Sequence, residues 1–337
     1  MNAPDFWWTK NGTWQAKLLG PLGALYSYMA TRRFRYNPRY KARQPVICIG
    51  NFTAGGTGKT PFALALNALL KEAGHKPGFL LRGYGGSIKG PLLVEPSKYA
   101  AAEVGDEALL LARRGPTVIS ADRTAGAKIL EEQDISVIIM DDGFQNPSLH
   151  KDFSIVLLDA KTGIGNARCI PAGPLRMPFT KQLQRVGLLM VVGEGDASID
   201  QQMAAQQAGI DLMHAAIRPV SADALDGERV LAFAGIGRPE KLYASLREAG
   251  AEVIETMSFP DHHYFTKEDA RLILREAEAQ DLLPITTTKD YVRLDGREEP
   301  SIARLANVAS VLEVEMKIAD PDALIECLKP VLDCGKS

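Results

Sequence analysis

The period of the apolar positions changes along the chain. Trp14, Leu18, Leu22, Leu25 and Met29 follow one another at steps of four, four, three and four, which lines one face of a helix that Pro21 is placed to bend. From residue 45 onward, short apolar runs alternate with helical ones. Residues 46–49 read as a buried strand, 61–73 as a helix closed by Gly74, and 78–81 as a second strand. A helix from about Asp106, a strand over 117–120, a helix over 123–132 and a strand over 137–140 continue the series. Further strands fit 154–158 and 186–192. Such alternation predicts a parallel sheet with helices on both faces.

Residues 195–229 are polar and alanine-rich, and a domain boundary is expected there. A second series follows: strand 230–233, helix 239–248, strand 252–257, helix 267–279, strands 283–287 and 308–314, and a last helix over 322–332. The expected organisation is an amphipathic segment over 1–40, a P-loop domain over 41–200, and a smaller α/β domain with a C-terminal helix over 201–337.

Composition sharpens one end of this picture. Hydrophobic residues make up 46% and charged residues 24% of the 337, enough for buried cores and incompatible with a disordered chain. The net charge of −2 hides an asymmetry. Lys10, Lys17, Arg32, Arg33, Arg35, Arg39, Lys41 and Arg43 face a single acid, Asp5, in residues 1–45, so that stretch carries +7 and the remainder −9. Trp7, Trp8 and Trp14, all the tryptophans of the chain, lie there too. A general nucleic-acid binder is excluded by the overall balance, and no obligate protein partner is indicated. The uncharged run from residue 18 to 31 falls short of the about 20 residues of a bilayer span and is broken by Gly20, Pro21 and Gly23. Arg32, Arg33 and Arg35 follow in place of a small-residue cleavage site, which argues against a secretory signal. Tryptophans and cations flanking a short apolar stripe predict a helix lying in a membrane interface, peripheral rather than spanning. Cys48, Cys169, Cys327 and Cys334 show no metal or disulfide spacing and read as reduced thiols.

The strongest chemical signal is Thr53-Ala54-Gly55-Gly56-Thr57-Gly58-Lys59-Thr60, set between a predicted strand and a predicted helix. Glycines let backbone N–H groups approach a polyphosphate, and the following helix turns its positive end to the same anion. Lys59 is placed to reach the β- and γ-phosphates of ATP, and the Thr60 hydroxyl to bind Mg²⁺. The stretch departs from G-x-x-x-x-G-K-[ST] at its first position, Thr53. A carboxylate on a neighbouring strand completes such sites, and Asp141 and Asp142 end the apolar run 137–140.

The loop alone leaves open a kinase, a GTPase switch and a transporter motor. The rivals to a membrane-associated kinase are a membrane-bound nucleotide switch of the MinD or signal-recognition kind and a soluble small-molecule kinase. Further stretches narrow the choice: Arg82-Gly83-Tyr84-Gly85, Val104-Gly105-Asp106-Glu107, Asp141-Asp142-Gly143-Phe144-Gln145, Pro171-Ala172-Gly173-Pro174-Leu175-Arg176 and Asp261-His262. In order and spacing these resemble the tetraacyldisaccharide 4′-kinases, the lipid A kinases of Gram-negative bacteria, from about residue 14 to 293. The resemblance implies transfer of the ATP γ-phosphate to the 4′-hydroxyl of a tetraacylated disaccharide 1-phosphate at the cytoplasmic face of the inner membrane. By the same resemblance Asp106 is the base and His262 orients it or shares its proton. Glu107, Asp141 and Asp142 share the Mg²⁺ shell, with the direct ligand left open. Arg82, Arg123, Gln145 and Arg176 are expected on the phosphates or the substrate. His263 carries no such role. The family usually has His where this chain has Asn146, which leaves positioning but no acid–base role there. Thr288-Lys289-Asp290 resembles a Thr-Glu-Lys-Asp stretch, for which a nucleotide-base contact stands beside a plain strand-end turn.

Overall fold

A computed structural model describes residues 4–9, 12–36, 38–220 and 225–333; Lys10 and Cys334 lie outside them. The strands are β1 (Val46–Asn51), β2 (Pro77–Leu81), β3 (Leu92–Leu93), β4 (Thr117–Ile119), β5 (Val137–Asp141), β6 (Phe153–Asp159), β7 (Leu188–Val192) and β8 (Asp211–Pro219). They continue as β9 (Arg229–Ala234), β10 (Glu252–Ser258), β11 (Leu283–Thr287), β12 (Ser310–Leu312) and β13 (Val314–Ile318). The helices are α1 (Trp14–Leu18), α2 (Gly20–Phe34), α3 (Lys59–Glu72), α4 (Ala101–Val104), α5 (Asp106–Ala112), α6 (Arg123–Leu130) and α7 (Phe179–Leu183). The later ones are α8 (Ile199–Gln207), α9 (Pro239–Glu248), α10 (Lys267–Gln280), α11 (Thr288–Val292), α12 (Pro300–Val308) and α13 (Pro321–Asp333).

Nine strands form one sheet in the order β13-β8-β7-β6-β1-β5-β2-β4-β3. Its interior pairs are parallel; only the edge pairs β13–β8 and β3–β4 are antiparallel. β1 is buried at every position, as a strand covered on both faces must be. Its period of two sends Ile47 and Ile49 to the face covered by α3, α5 and α13, and Val46 and Cys48 to the face covered by α2, α6, α7 and α8. Burial pushes the Cys48 thiol up to about 12, consistent with an inert, reduced core residue. β1 and β5 are neighbours with Ile49 opposite Asp141, so the phosphate loop after β1 and the Asp141-Asp142 pair emerge side by side. Close approach fixes this arrangement. A Cβ on Gly50 would stand 2.3 Å from the Phe144 Cβ, so only glycine lets the 142–145 turn close over the end of β1.

The second sheet, β10-β9-β11-β12, is parallel throughout and carries its own apolar layers on both faces. The division of the chain differs from the sequence expectation. β8 and β13 belong to the large sheet and α13 packs on it, so the small unit is an insertion between the antiparallel partners β8 and β13 rather than everything after residue 200. The expected strand over 308–314 is in fact the end of α12, then β12 in one sheet and β13 in the other, parted at Glu313. Leu324, Leu328 and Leu332 of α13 pack with Phe62, Leu66 and Leu70 of α3, which ties the chain's end to the helix behind the phosphate loop.

The N-terminal stripe is helical as expected, with Pro21 in the first turn of α2 and a break at Leu19. Its apolar face points away from the protein. Trp14 and Leu18 are each 70% exposed, Leu22 and Leu25 each 56%, and Met29 55%. The helices dock instead through small residues: Ala16 is fully buried, and Gly23 is so close to the Cys169 carbonyl and Ala172 that a side chain would collide. Phe34 closes the end against Phe144. No helix among the described residues is long and apolar enough to cross a membrane.

Candidate active site

The phosphate loop runs from the end of β1 into α3. Thr53 is buried and bridged to Leu175, and the Ala54 N–H donates to the Pro174 carbonyl at 2.8 Å, so the 171–176 stretch holds the start of the loop. Gly55 (φ 122°) and Gly58 (φ 87°) take left-handed backbone that other residues rarely adopt. A Cβ on Gly55 or Gly56 would meet nothing within 4 Å, which leaves the loop's mouth free for a large anion. Thr57 is buried with an unpartnered hydroxyl.

Three carboxylates face this loop, each in a different electrostatic setting. Asp142, at φ 50°, accepts a forked pair of bonds from Arg176 at 2.8 and 3.2 Å and has Lys59 Nζ 3.7 Å away. Burial would raise its carboxyl, but Lys59 and Arg176 hold it well below the usual range. Glu107 accepts from the Thr60 hydroxyl at 3.2 Å and from Lys289 at 2.6 Å. Here too burial works upward and the Lys289 charge prevails downward. Asp141 is only 2% exposed, and its Oδ1 is without a hydrogen bond. Burial, and next the Glu107 charge, push it up to about 7 against the pull of Lys59. A buried carboxylate oxygen left bare beside the Thr60–Glu107 pair suits a hard cation. Among the described residues no three His, Cys, Asp or Glu side chains form a ready-made cage. Mg²⁺ takes one or two carboxylates and fills its other positions with water and phosphate oxygens.

A cavity of about 670 Å³ opens beside these groups. Arg82, Arg123, Gln145 and Arg176 all line it, together with Asp141, Asp142 and Glu107. Arg123 is buried and donates to the Ser120 carbonyl, while Arg82 stands exposed at the rim. Gln145 is already engaged: its amide nitrogen donates to the Asn51 carbonyl at 2.8 Å and to Gln182 Oε1 at 2.9 Å, which pins the turn to β1. Asn146 shapes the same turn by accepting from Ser148 N and Oγ at 2.8 and 2.7 Å. The far wall is α2, with Tyr26, Ala30 and Arg33 on it and Met29, 55% exposed, at the edge it shares with the outward stripe.

Asp106 and His262 meet across the boundary of the two units. Asp106 is the first residue of α5, not its cap, which is Gly105. Its Oδ1 lies 3.5 Å from His262 Nδ1 and accepts from the Glu107 N–H at 2.9 Å, and its Oδ2 pairs with Arg293. Burial pushes Asp106 upward, but the His262 hydrogen bond and the Arg293 charge hold it well below the ordinary value. The same bond raises His262, which sits at φ 58° with its ring edge-on to Tyr84. His263 is turned away, bonded to Asp269 at 2.9 Å and stacked on Phe259.

The sequence reading gave Lys289 no role at the carboxylates and did not name Arg293. Lys289 faces Glu107, and Asp290 is buried against Gly235 N and Arg293, so the 288–290 stretch braces the carboxylates. Arg293 lies four residues beyond Lys289, one turn along a helix capped by Thr287, and that spacing puts both on one side. Arg238 and Lys241 on Asp159, and Arg113 on Asp295, add to the ionic contacts between the units.

The family model of tetraacyldisaccharide-1-P 4′-kinase matches residues 15–333. The chain is 48% identical over 327 residues to the tetraacyldisaccharide 4′-kinase of Methylobacterium nodulans, covering 96% of this chain and 94% of that one. It is 45% identical over 335 residues to that of Brucella anthropi, covering 99% and 98%. Among solved structures, the "apo" form of Aquifex aeolicus LpxK in complex with ATP superimposes with a TM-score of 0.72 at 29% identity, covering 94% of this chain and 99% of that one. The chain belongs to the tetraacyldisaccharide-1-P 4′-kinase family.

Proposed function

We propose that this protein transfers the γ-phosphoryl group of ATP to the 4′-hydroxyl of a tetraacyldisaccharide 1-phosphate, the lipid A precursor, and works from a membrane surface. The carrying observation is the shape of the cavity. One wall is Ala54 of the phosphate loop with Asp141, Asp142 and Glu107; the other is α2, whose outer face exposes Leu22 and Leu25. A site so built joins polyphosphate chemistry to a lipid surface. A nucleotide switch needs no such second wall, and the family is one of kinases.

The loop's N–H groups and the start of α3 hold the phosphates, and Lys59 follows the γ-phosphoryl group as it moves. Thr60, Asp141 and Glu107 would hold a Mg²⁺ ion, which would supply charge neutralisation to the phosphates. Asp106, oriented by His262, takes the 4′-hydroxyl proton as the new O–P bond forms and the bond to ADP breaks. Arg82, Arg123 and Arg176 supply guanidinium groups to the phosphates of donor and acceptor. Asp142, already held by Arg176 and Lys59, positions those two cations. The membrane face is the one that ATP reaches, the cytoplasmic side of the inner membrane.

The lipid contact is tested without disturbing the packing side of the helix. Leu18→Glu, Leu22→Glu and Leu25→Glu together remove apolar side chains worth about 1.5–3 kcal/mol each when buried. The triple variant should lose vesicle affinity by about 10²-fold or more, retain ATP binding, and phosphorylate a water-soluble disaccharide analogue at the parent rate. Flotation with anionic vesicles at low and high salt measures this. Equal flotation by both proteins would place the lipid contact elsewhere.

A further inference from the structure

The proton-accepting pair is contributed by two different units, and something must hold its members in register. Asp106 starts α5 beside the large sheet, whereas His262 follows β10 in the small unit. Only one side chain among the described residues is bonded to Asp106 and also within 3.5 Å of His262 Nδ1: the Arg293 guanidinium. Its side chain is 6% exposed. One terminal nitrogen donates to the Gly235 carbonyl and to Asp290 Oδ1, both at 2.8 Å; the other donates to Asp106 Oδ2. The Gly235 carbonyl also accepts the His262 backbone N–H at 2.9 Å, so a single guanidinium touches both the carboxylate and the backbone anchor of the imidazole.

Arg293 is itself immobilised. Asp290 is fully buried, accepts from Gly235 N–H at 3.0 Å and from the Thr287 hydroxyl at 2.7 Å, and thereby fixes the guanidinium plane from below. With Oδ2 occupied by Arg293, Asp106 is left presenting Oδ1 toward His262. The planar fork suits this task, since a single ammonium cannot reach two sites that lie on different nitrogens. We infer that Arg293 is a positioning residue for phosphoryl transfer, holding Asp106 and His262 together across the boundary of the two units through its two terminal nitrogens. The inference rests on the role of Asp106 proposed above.

The test uses the full-length protein with Arg293→Ala, Arg293→Lys and Asp106→Ala, singly and with each Arg293 change combined with Asp106→Ala. Misplacing a reacting pair lowers kcat by about 10- to 100-fold. Arg293→Ala should show that loss with the KM for ATP within about twofold, and should add almost nothing in the Asp106→Ala background. Arg293→Lys keeps a cation and so guards against failure to fold; having lost the fork, it should also be slower by about tenfold, again with no added loss beside Asp106→Ala. A parental kcat in Arg293→Lys, a loss confined to KM, or a full additive loss in the double variants would overturn the inference. Asp106→Ala alone tests the underlying reading. If it transfers normally, the base assignment falls and this inference with it; if it is slow and Arg293→Lys is not, only this inference falls.

Discussion

Lys59→Ala is expected to lower turnover by about 10²–10³-fold in a protein that stays folded. Lys59 opens α3, where alanine is at least as favourable to the helix, and its side chain is 13% exposed with Asp142 as the ammonium's neighbour. Removing it does not strand that carboxylate, because the Arg176 fork remains on Asp142. The loss therefore falls on charge stabilisation as the γ-phosphoryl group moves and not on the core. Single-turnover rates at saturating ATP, with thermal unfolding as the control for folding, give the comparison. Near-parental turnover in a folded Lys59→Ala protein would contradict the assignment of the phosphate loop.

Asp106→Asn should be as slow as Asp106→Ala, each reduced by about 10²–10⁴-fold in kcat with ATP affinity little changed. The amide has nearly the size of the carboxylate and can still accept the Glu107 N–H, yet it cannot take a proton. Agreement between the two variants separates proton transfer from packing. Arg293 keeps Asp290 and the Gly235 carbonyl in both, so the small unit retains its own bracing. If Asp106→Asn transfers at the parental rate, or if both variants lose ATP affinity and transfer normally once saturated, Asp106 is a structural residue.

Much of the large unit is legible in the sequence because its strands are buried on both faces. β1, β2 and β5 read as unbroken apolar runs, and the loop and carboxylates at their ends follow at once. β8 is not legible: it lies next to the sheet's edge, half exposed along most of its length, and its sequence carries no clean period. With β8 hidden, the return of the chain to the large sheet through β13 is hidden as well. The N-terminal stripe shows its helical period plainly, but not the direction it faces. That is decided by Ala16 and Gly23, whose small side allows close docking and turns the large apolar residues outward. The phosphate loop and the acidic residues are local in sequence, so their pattern is legible there. Lys289 and Arg293 act on Glu107 and Asp106 from more than 180 residues away, and only the closure of the small unit on α5 brings them there.

The central claim is that γ-phosphate goes from ATP to a lipid sugar hydroxyl at this cavity. Purified protein incubated with γ-radiolabelled ATP, Mg²⁺ and tetraacyldisaccharide 1-phosphate in mixed micelles tests it in one step, with chromatography of the extracted lipid. The account predicts one labelled lipid bearing a second phosphate at the 4′ position, formed in step with ADP and missing in the Lys59→Ala protein. Label found only in inorganic phosphate, with the disaccharide unchanged, would contradict it and describe a nucleotide hydrolase instead.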